Sequence, residues 1–308
     1  MLVLTRPQVR ELLDLDDLLV ALERAFVELS AGRTSVPPRI AASTERGFLA
    51  AMPGYADGIL ETKLVSVFPE NREAPSHQAT ISLFDDSDGR PLALMDGTEI
   101  TAARTGASSA VSIRALARAD ARVLAVLGAG VQARSHIAAA TRVRELDEIR
   151  VASRNADHAR QLARDVGGVA VDSFEEAVRG ADVVCACTDS GEPVLSVEWL
   201  DPGTHVTSVG ASREGPELDR ATVTAGLLAV ESRVAFEPYP AGAHELRGLD
   251  PQSAVELGEL LPRTREARTS AEQITVYKSM GHAVEDAAAA GLVYRRALEQ
   301  GVGTEVEL

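Results

Sequence analysis

Lysine is almost missing from this chain of 308 residues: of its 31 basic residues only Lys63 and Lys278 are lysines. The two positions that keep one are candidates for sites that need an ammonium group. Cysteine is equally scarce. Cys185 and Cys187 stand at i and i+2 of a predicted strand, where they face the same side and cannot sensibly pair, so a disulfide framework is excluded and a buried structural role is expected. No apolar run approaches the ~20 residues of a membrane helix. The N-terminal MLVLTRPQVRELLDLDD has no basic stretch followed by an apolar one and does not resemble a signal peptide. A cytoplasmic protein without a membrane partner is the expectation. Positive charge is also lacking. The net charge of −15 argues against a nucleic-acid partner, which would need clustered Lys and Arg, and the acidity is read as serving solubility. The six histidines show no H-E-x-x-H spacing, so no metal site is expected. Internal repeats, low-complexity tracts and linkers are absent as well.

What is present is a globular composition, 45% hydrophobic, in a chain long enough for two domains. Residues 5–31 read as one helix, with Leu18, Leu22, Phe26 and Leu29 at helical spacing and Gly32 just past the end. Strand signals follow at 47–52, 60–68, 79–84 and 91–96, with a turn over 85–89 between the last two. Residues 98–116 form a helix dense in small side chains. From Ala121 onward the pattern alternates, with strands expected at 123–127, 148–152, 169–171, 182–187, 205–209 and 227–230, and a long helix at 279–300. Alternation of this kind predicts an α/β protein with a doubly wound parallel sheet.

Within it, Val123–Leu127 is a continuous apolar run, as in a strand buried on both faces, and Gly128, Gly130 and Ala133 follow as G-x-G-x-x-A. The first glycine permits a tight turn and the second lets backbone approach a pyrophosphate. The small third residue lets the next helix, over 132–143, pack closely and present its N–H groups to phosphate. At the end of the second strand an NAD site usually carries a carboxylate for the ribose 2′-hydroxyl. Here Ser153, Arg154 and Asn155 stand instead, a hydroxyl and a guanidinium suited to a 2′-phosphate, so NADP(H) is favoured over NAD(H).

Other basic residues occupy unusual places: Arg39 after Pro37-Pro38, Lys63 inside a strand-like run, and Arg104 in the small-residue helix. The segments PPR (37–39), KLVSVFPEN (63–71), PSHQAT (75–80), ALMDGTEITAARTGASSA (93–110), LGAGVQARSH (127–136), VGASREGPELD (209–219) and VYKSMGHAVEDAAAAGLVY (276–294) closely resemble, and in the same order, those of the ornithine cyclodeaminase/mu-crystallin family. The resemblance covers nearly the whole chain and is strongest to the mu-crystallin-like ketimine reductases. It implies a Rossmann domain, 116–281, inserted in an α+β substrate-binding and dimerisation domain, 1–115 with 282–308, with the active site in the cleft and a homodimer as the assembly. By the same resemblance Arg39, Lys63 and Arg104 hold the substrate α-carboxylate, with Lys63 and Arg104 catalytic, and Met52 and His77 complete the substrate set. Charge-assisted contacts from three cations would fix both the position and the orientation of a carboxylate. Thr80, Arg104, Thr105, Gly128, Gly130, Val131, Gln132, Thr188 and Ser279 would touch the cofactor, and Ser153, Arg154 and Asn155 would read its ribose.

Two departures from the cyclodeaminases matter. Their catalytic Asp after the fifth Rossmann strand has no counterpart in Gly210-Ala211-Ser212-Arg213, and Asp219 falls on the family's ELD ending instead. Their Glu ahead of the strand lysine has none in Gly47–Met52. A site that keeps the carboxylate clamp and loses both acids suits reduction of a ketimine carboxylate, such as Δ1-pyrroline-2-carboxylate or Δ1-piperideine-2-carboxylate, by NADPH. Lys63 could bind the carboxylate or protonate the nitrogen. His77 could donate a proton or be structural, and His282 is a second histidine to consider beside it, while Glu285 and Asp286 read as serving the last helix and its packing. Three alternatives stay open: an ornithine cyclodeaminase recruiting Glu214 or Glu217, an alanine-type amino-acid dehydrogenase, and a non-enzymatic protein holding NADPH or a small ligand. The retained clamp speaks against the last.

Overall fold

The computed structural model describes residues 1–71, 73–212, 214–262 and 267–307; Arg213 of the GASR segment lies outside them. The chain separates into two compact units, Met1–Arg104 with His282–Leu308, and Thr105–Gly281. The first boundary falls inside a helix, after Arg104, rather than at 115 where the sequence placed it.

Among the described residues the first unit contains β1 (Leu2–Leu4), α1 (Arg6–Leu12), α2 (Leu15–Ser30), β2 (Ile40–Ser43), β3 (Phe48–Ala56), β4 (Ile59–Val67), β5 (His77–Phe84), β6 (Pro91–Asp96) and the start of α3 (Gly97–Leu116). The second holds β7 (Val123–Leu127), α4 (Val131–Val143), β8 (Glu148–Ala152), α5 (Ala156–Val166), β9 (Val169–Ala170), α6 (Phe174–Val178), β10 (Val183–Ala186), β11 (His205–Ser208), α7 (Arg220–Val223), β12 (Leu227–Val230), β13 (Val255–Glu256), α8 (Leu257–Leu260) and β14 (Thr275–Lys278). The chain then closes the first unit with α9 (Ala283–Gln300) and β15 (Thr304–Glu305).

In the first unit the strands lie in the order β15-β1-β6-β5-β4-β3-β2, antiparallel from β2 to β6. Side chains alternate across the sheet. Ala50, Met52, Gly54, Glu61, Lys63, Val65, Ala79 and Ile81 are buried on one face, and Leu49, Leu64 and Thr80 are exposed on the other. Helix α9 covers the buried face, and its small residues allow the close approach. A Cβ on Gly54 would come within 3.0 Å of the Ala283 Cβ, and one on Gly291 within 2.8 Å of Ile59. Strand β3 runs on through Pro53 and Gly54, past the end read from sequence, because its pairing with β4 continues to Ala56↔Ile59.

The N-terminal helix is broken in two. Leu13 is extended, and the Asp14 carboxylate accepts from the N–H groups of Asp16 and Asp17, so a second helix starts at Leu15 with its N-cap satisfied. The last helix begins at Ala283 rather than Ser279. Ser279 Oγ and the N–H groups of Met280 and Gly281 all donate to Glu231 Oε1, Gly281 stands at φ +70, which a right-handed helix does not admit, and His282 is the N-cap.

In the second unit every pair in the sheet β13-β12-β14-β11-β10-β7-β8-β9 is parallel. Strand order reverses between β7 and β10, the switch point of a doubly wound sheet, whose carboxyl ends are where nucleotides bind. Sequence reading missed β13 and β14, although β14 lies between β11 and β12. Its four residues are all buried, so no polar alternation marks it.

Candidate active site

Strand β4 sets Lys63 directly across from Met52 on β3 and Ile81 on β5, on the face that meets α9. Lys63 is 1% exposed, and its Nζ lies 2.7 Å from Asp286 Oδ2. Arg104, on α3, donates through Nε to Asp286 Oδ1 at 3.1 Å and through Nη1 to Glu285 Oε2 at 3.0 Å. Asp286 is thus shared by two cations, while Glu285 also accepts from the His282 N–H and closes the cap of α9. Glu285 and Asp286 therefore do more than serve the last helix and its packing, the role expected from sequence. Their position in the first turn of α9 suits their charge, but their carboxylates hold the cations of the clamp.

Burial lowers the Lys63 ammonium to about 8, and the neighbouring Arg104 and Arg39 push the same way, against the pull of Asp286. Burial would raise Asp286, yet Lys63 and Arg104 together hold it below the usual carboxylate range. Arg39 also helps burial push His282 down to about 4, so this imidazole is neutral at pH 7. The structure therefore brings Arg39, Lys63, Arg104 and Met52 into one neighbourhood. It does not bring in Thr80 or His77. Thr80 pairs with Leu64 and is exposed on the opposite face of the sheet. His77 pairs with Val67, four residues from Lys63 and about 13 Å along the strand, and bonds to Ser76.

In the second unit the predicted cofactor residues gather at the carboxyl ends of the parallel strands. Gly128 follows β7 at φ +114, and a Cβ there would lie 2.6 Å from Cys187 O, so only glycine fits the turn. Gly130 is the N-cap of α4 and offers no side-chain cap; a Cβ on it would meet nothing within 4 Å. Gln132 Oε1 is buried without a hydrogen-bond partner among the described residues. An open backbone cradle at the start of a helix of 13 residues fits a dinucleotide diphosphate, and the orphaned amide oxygen fits a donor such as a ribose hydroxyl. Ser153 and Arg154 follow β8, and Asn155 caps α5 through Oδ1. Arg154 is exposed and pairs with Asp189 at 3.1 Å, a surface pair worth about 0–1 kcal/mol and easily exchanged. Thr188 follows β10 and Ser279 follows β14. Their hydroxyls donate to Glu217 and Glu231 and keep lone pairs for a donor such as an amide. Thr105 is buried in α3, and Val131 opens α4, 67% exposed.

The fold is found in known proteins. The family model for the ornithine cyclodeaminase/mu-crystallin family matches residues 1–301. The chain belongs to this family. The mouse protein named ketimine reductase mu-crystallin is 42% identical over 293 residues, 90% of this chain and 91% of its own. The structure of Thermococcus litoralis Δ1-pyrroline-2-carboxylate reductase in complex with NADH and L-proline superposes with a TM-score of 0.93 at 37% identity, covering 99% of this chain and 100% of that one. An archaeal alanine dehydrogenase dimer with bound NAD gives 0.91 at 30% identity, over 100% and 99% of the two chains.

Within the ornithine cyclodeaminase/mu-crystallin fold, the segment after β11 is built as structure. Glu217 is 1% exposed and accepts from Thr188 N and Oγ1, Ser208 Oγ and Gly210 N. These donors occupy both of its oxygens, Thr188 on Oε1 and Ser208 and Gly210 on Oε2, and make it a structural carboxylate. Asp219 caps α7 through Thr222 N. Glu214, the other carboxylate weighed for a cyclodeaminase, is exposed. Lys278, fully buried at the end of β14, donates to Ser208 Oγ and Gly210 O and pairs with Glu245 at 2.8 Å, fastening the segments after β11 and β12. His136 and His205, lowered by burial to about 4 and about 3, are neutral links, the first between the Ser109 hydroxyl and the Gln132 carbonyl and the second between the hydroxyls of Ser112 and Thr275. No cluster of metal-ligating side chains occurs among the described residues.

Proposed function

We propose that this protein is an NADPH-dependent reductase of ketimine carboxylates, with cyclic substrates of the Δ1-pyrroline-2-carboxylate or Δ1-piperideine-2-carboxylate type. The observation that carries the reading is the buried clamp of β4, α3 and α9. Lys63 and Arg104 are held by the carboxylates of Asp286 and Glu285, and the charge of Arg39 is felt at Lys63. Such a group of cations suits a substrate that carries a carboxylate. In a ketimine 2-carboxylate the imine carbon bears the carboxylate, so the nitrogen and a carboxylate oxygen lie side by side and one ammonium can bond both. Lys63 thereby serves both roles left open by the sequence, and Arg104 orients the carboxylate from its fixed position on Glu285 and Asp286. Bound NADPH supplies the hydride. Gly128, Gly130, Val131 and Gln132 would hold its diphosphate, Ser153, Arg154 and Asn155 its ribose phosphate, and Thr105, Thr188 and Ser279 the nicotinamide end.

The preference for NADPH rests on Ser153 and Arg154 standing where a ribose-binding carboxylate would be; the two solved relatives named above carry NADH and NAD. A cyclodeaminase is disfavoured because Ala211 provides no carboxylate and Glu217 is fully bonded. Alanine-type dehydrogenation remains the second reading, favoured by the archaeal relative and by a clamp that would accept any α-carboxylate. A homodimer is part of the proposal. Ile40, Leu49 and Leu64 are 71%, 48% and 40% exposed on β2, β3 and β4, and the archaeal relative is a dimer. A cytoplasmic location is included too, consistent with two free cysteines. No helix among the described residues is long and apolar enough to cross a membrane. The test is a substrate panel. NADPH consumed with both cyclic imines, less readily NADH, and no ammonia from ornithine with NAD⁺ is the expected result. Ammonia from ornithine, or rapid turnover of alanine with inert imines, would refute it.

A further inference from the structure

Two residues before Lys63 on the same face of β4 is Glu61, 2% exposed, with neither carboxyl oxygen bonded to any of the described residues. It lies opposite Gly54, whose missing side chain makes room for it: a Cβ there would sit 3.2 Å from Glu61 Oε1. The charged groups that face it are Lys63 on its own strand, Arg104 from α3 and Asp286 from α9. An ionised carboxylate in such a place would need donors, and none bonds to it.

We propose that Glu61 is a positioning residue for the proton of the reduction: a buried neutral acid that restores the Lys63 ammonium after Lys63 has protonated the substrate nitrogen. This inference rests on the ketimine-reductase reading. In the reaction the C=N carbon gains a hydride from the nicotinamide, and the π pair of the bond takes a proton from Lys63 at nitrogen. The neutral Lys63 amine then takes the Glu61 carboxyl proton. Glu61 is left as a carboxylate beside the restored ammonium, and solvent returns its proton once product has left. Lys63 and Asp286 are 1% and 0% exposed, so the cluster needs a proton held within reach. The i, i+2 spacing on one strand face puts the two Cα atoms about 7 Å apart. Burial and the Asp286 carboxylate hold Glu61 well above the ordinary carboxyl range, while Lys63 is lowered to about 8, so the two groups are drawn toward equal proton affinity.

Infrared spectra of the wild type and of Glu61→Gln at pH 7, without substrate or cofactor, decide whether the proton is held. A protonated-carboxyl band lost in the variant is expected; identical spectra would overturn the proposal whatever the activity. Kinetics with Δ1-pyrroline-2-carboxylate test the relay. Glu61→Gln should lower kcat by ~10²-fold, the scale of one general-acid contribution, with KM little changed and a larger solvent deuterium effect. Glu61→Asp should recover part of the loss, and Glu61→Met replaces the amide variant if that one fails to fold. Wild-type kcat in Glu61→Gln or Glu61→Met, or equal losses in kcat and affinity without rescue by Asp, would overturn it. A wild type that shows the band but reduces no imine would refute the ketimine reading and the relay, leaving the held proton standing.

Discussion

Replacing Asp286 by Asn should separate the two things this carboxylate does. It bonds Lys63 Nζ at 2.7 Å and Arg104 Nε at 3.1 Å, and breaking a buried ion pair from one side costs on the order of 3–5 kcal/mol. Arg104 keeps Glu285, so the lower end, about 3 kcal/mol, applies to stability. For the site the larger effect is on Lys63. Burial already holds it at about 8 against the pull of Asp286. Without that pull it drops further, and at pH 7 the ammonium is lost. A charge-assisted hydrogen bond contributes about 1.5–3 kcal/mol, so KM for the ketimine should rise roughly 10- to 100-fold. The pH dependence gives the sign. In the wild type KM stays flat up to about pH 8 and then climbs as Lys63 loses its proton. In Asp286→Asn the climb starts at lower pH, and affinity returns on acidification. Steady-state kinetics across pH with a parallel denaturation series measure both effects. A variant with the wild-type KM profile and a stability loss under about 1 kcal/mol would refute the shared-counterion reasoning.

Other consequences follow from the same geometry. Arg104→Ala removes the clamp's guanidinium together with its bonds to Glu285 and Asp286, so kcat/KM should fall at least ~10²-fold; unchanged turnover would defeat the site assignment. Lys63 titrates below its unfolded value of ~10.4, so the unfolded chain binds more protons between about pH 8 and ~10.4. The buried ammonium therefore costs stability below that window and the cost is relieved as pH rises through it, a component that denaturation curves of Lys63→Met should lack. Arg154→Ala should weaken NADPH binding about tenfold or more while leaving NADH nearly unchanged, as read by fluorescence titration; equal effects would remove the argument for the 2′-phosphate. Gly130→Leu should fold normally, since nothing lies within 4 Å of its Cβ, yet lose NADPH, whereas Gly128→Ala should damage folding itself.

Much of this was legible in the chain. The apolar run Val123–Leu127 followed by Gly128 and Gly130 marks both strand and cradle, because a buried parallel strand and a backbone approach leave few alternatives in residue type. The scarcity of lysine correctly singled out Lys63 and Lys278, which are both buried and paired with carboxylates. What the sequence hid are partners distant along the chain. Asp286 and Glu285 read as ordinary N-terminal helix acids, and only the packing of α9 on β4 reveals their cations. Glu61 was hidden differently: an acid at i−2 from a strand lysine looks like a solvent-facing ion pair until the opposite glycine shows that the face is covered. Thr80 illustrates the converse, since strand alternation sets it on the other face from Lys63.

The fate of the hydride decides between reduction of a ketimine and deamination. With NADPH carrying deuterium at the transferred position and Δ1-pyrroline-2-carboxylate as substrate, mass spectrometry of the product should find one deuterium on the α-carbon of proline, with none in the Arg104→Ala reaction over the same time. Unlabelled proline, or no proline beside a competent release of ammonia from ornithine, would contradict it.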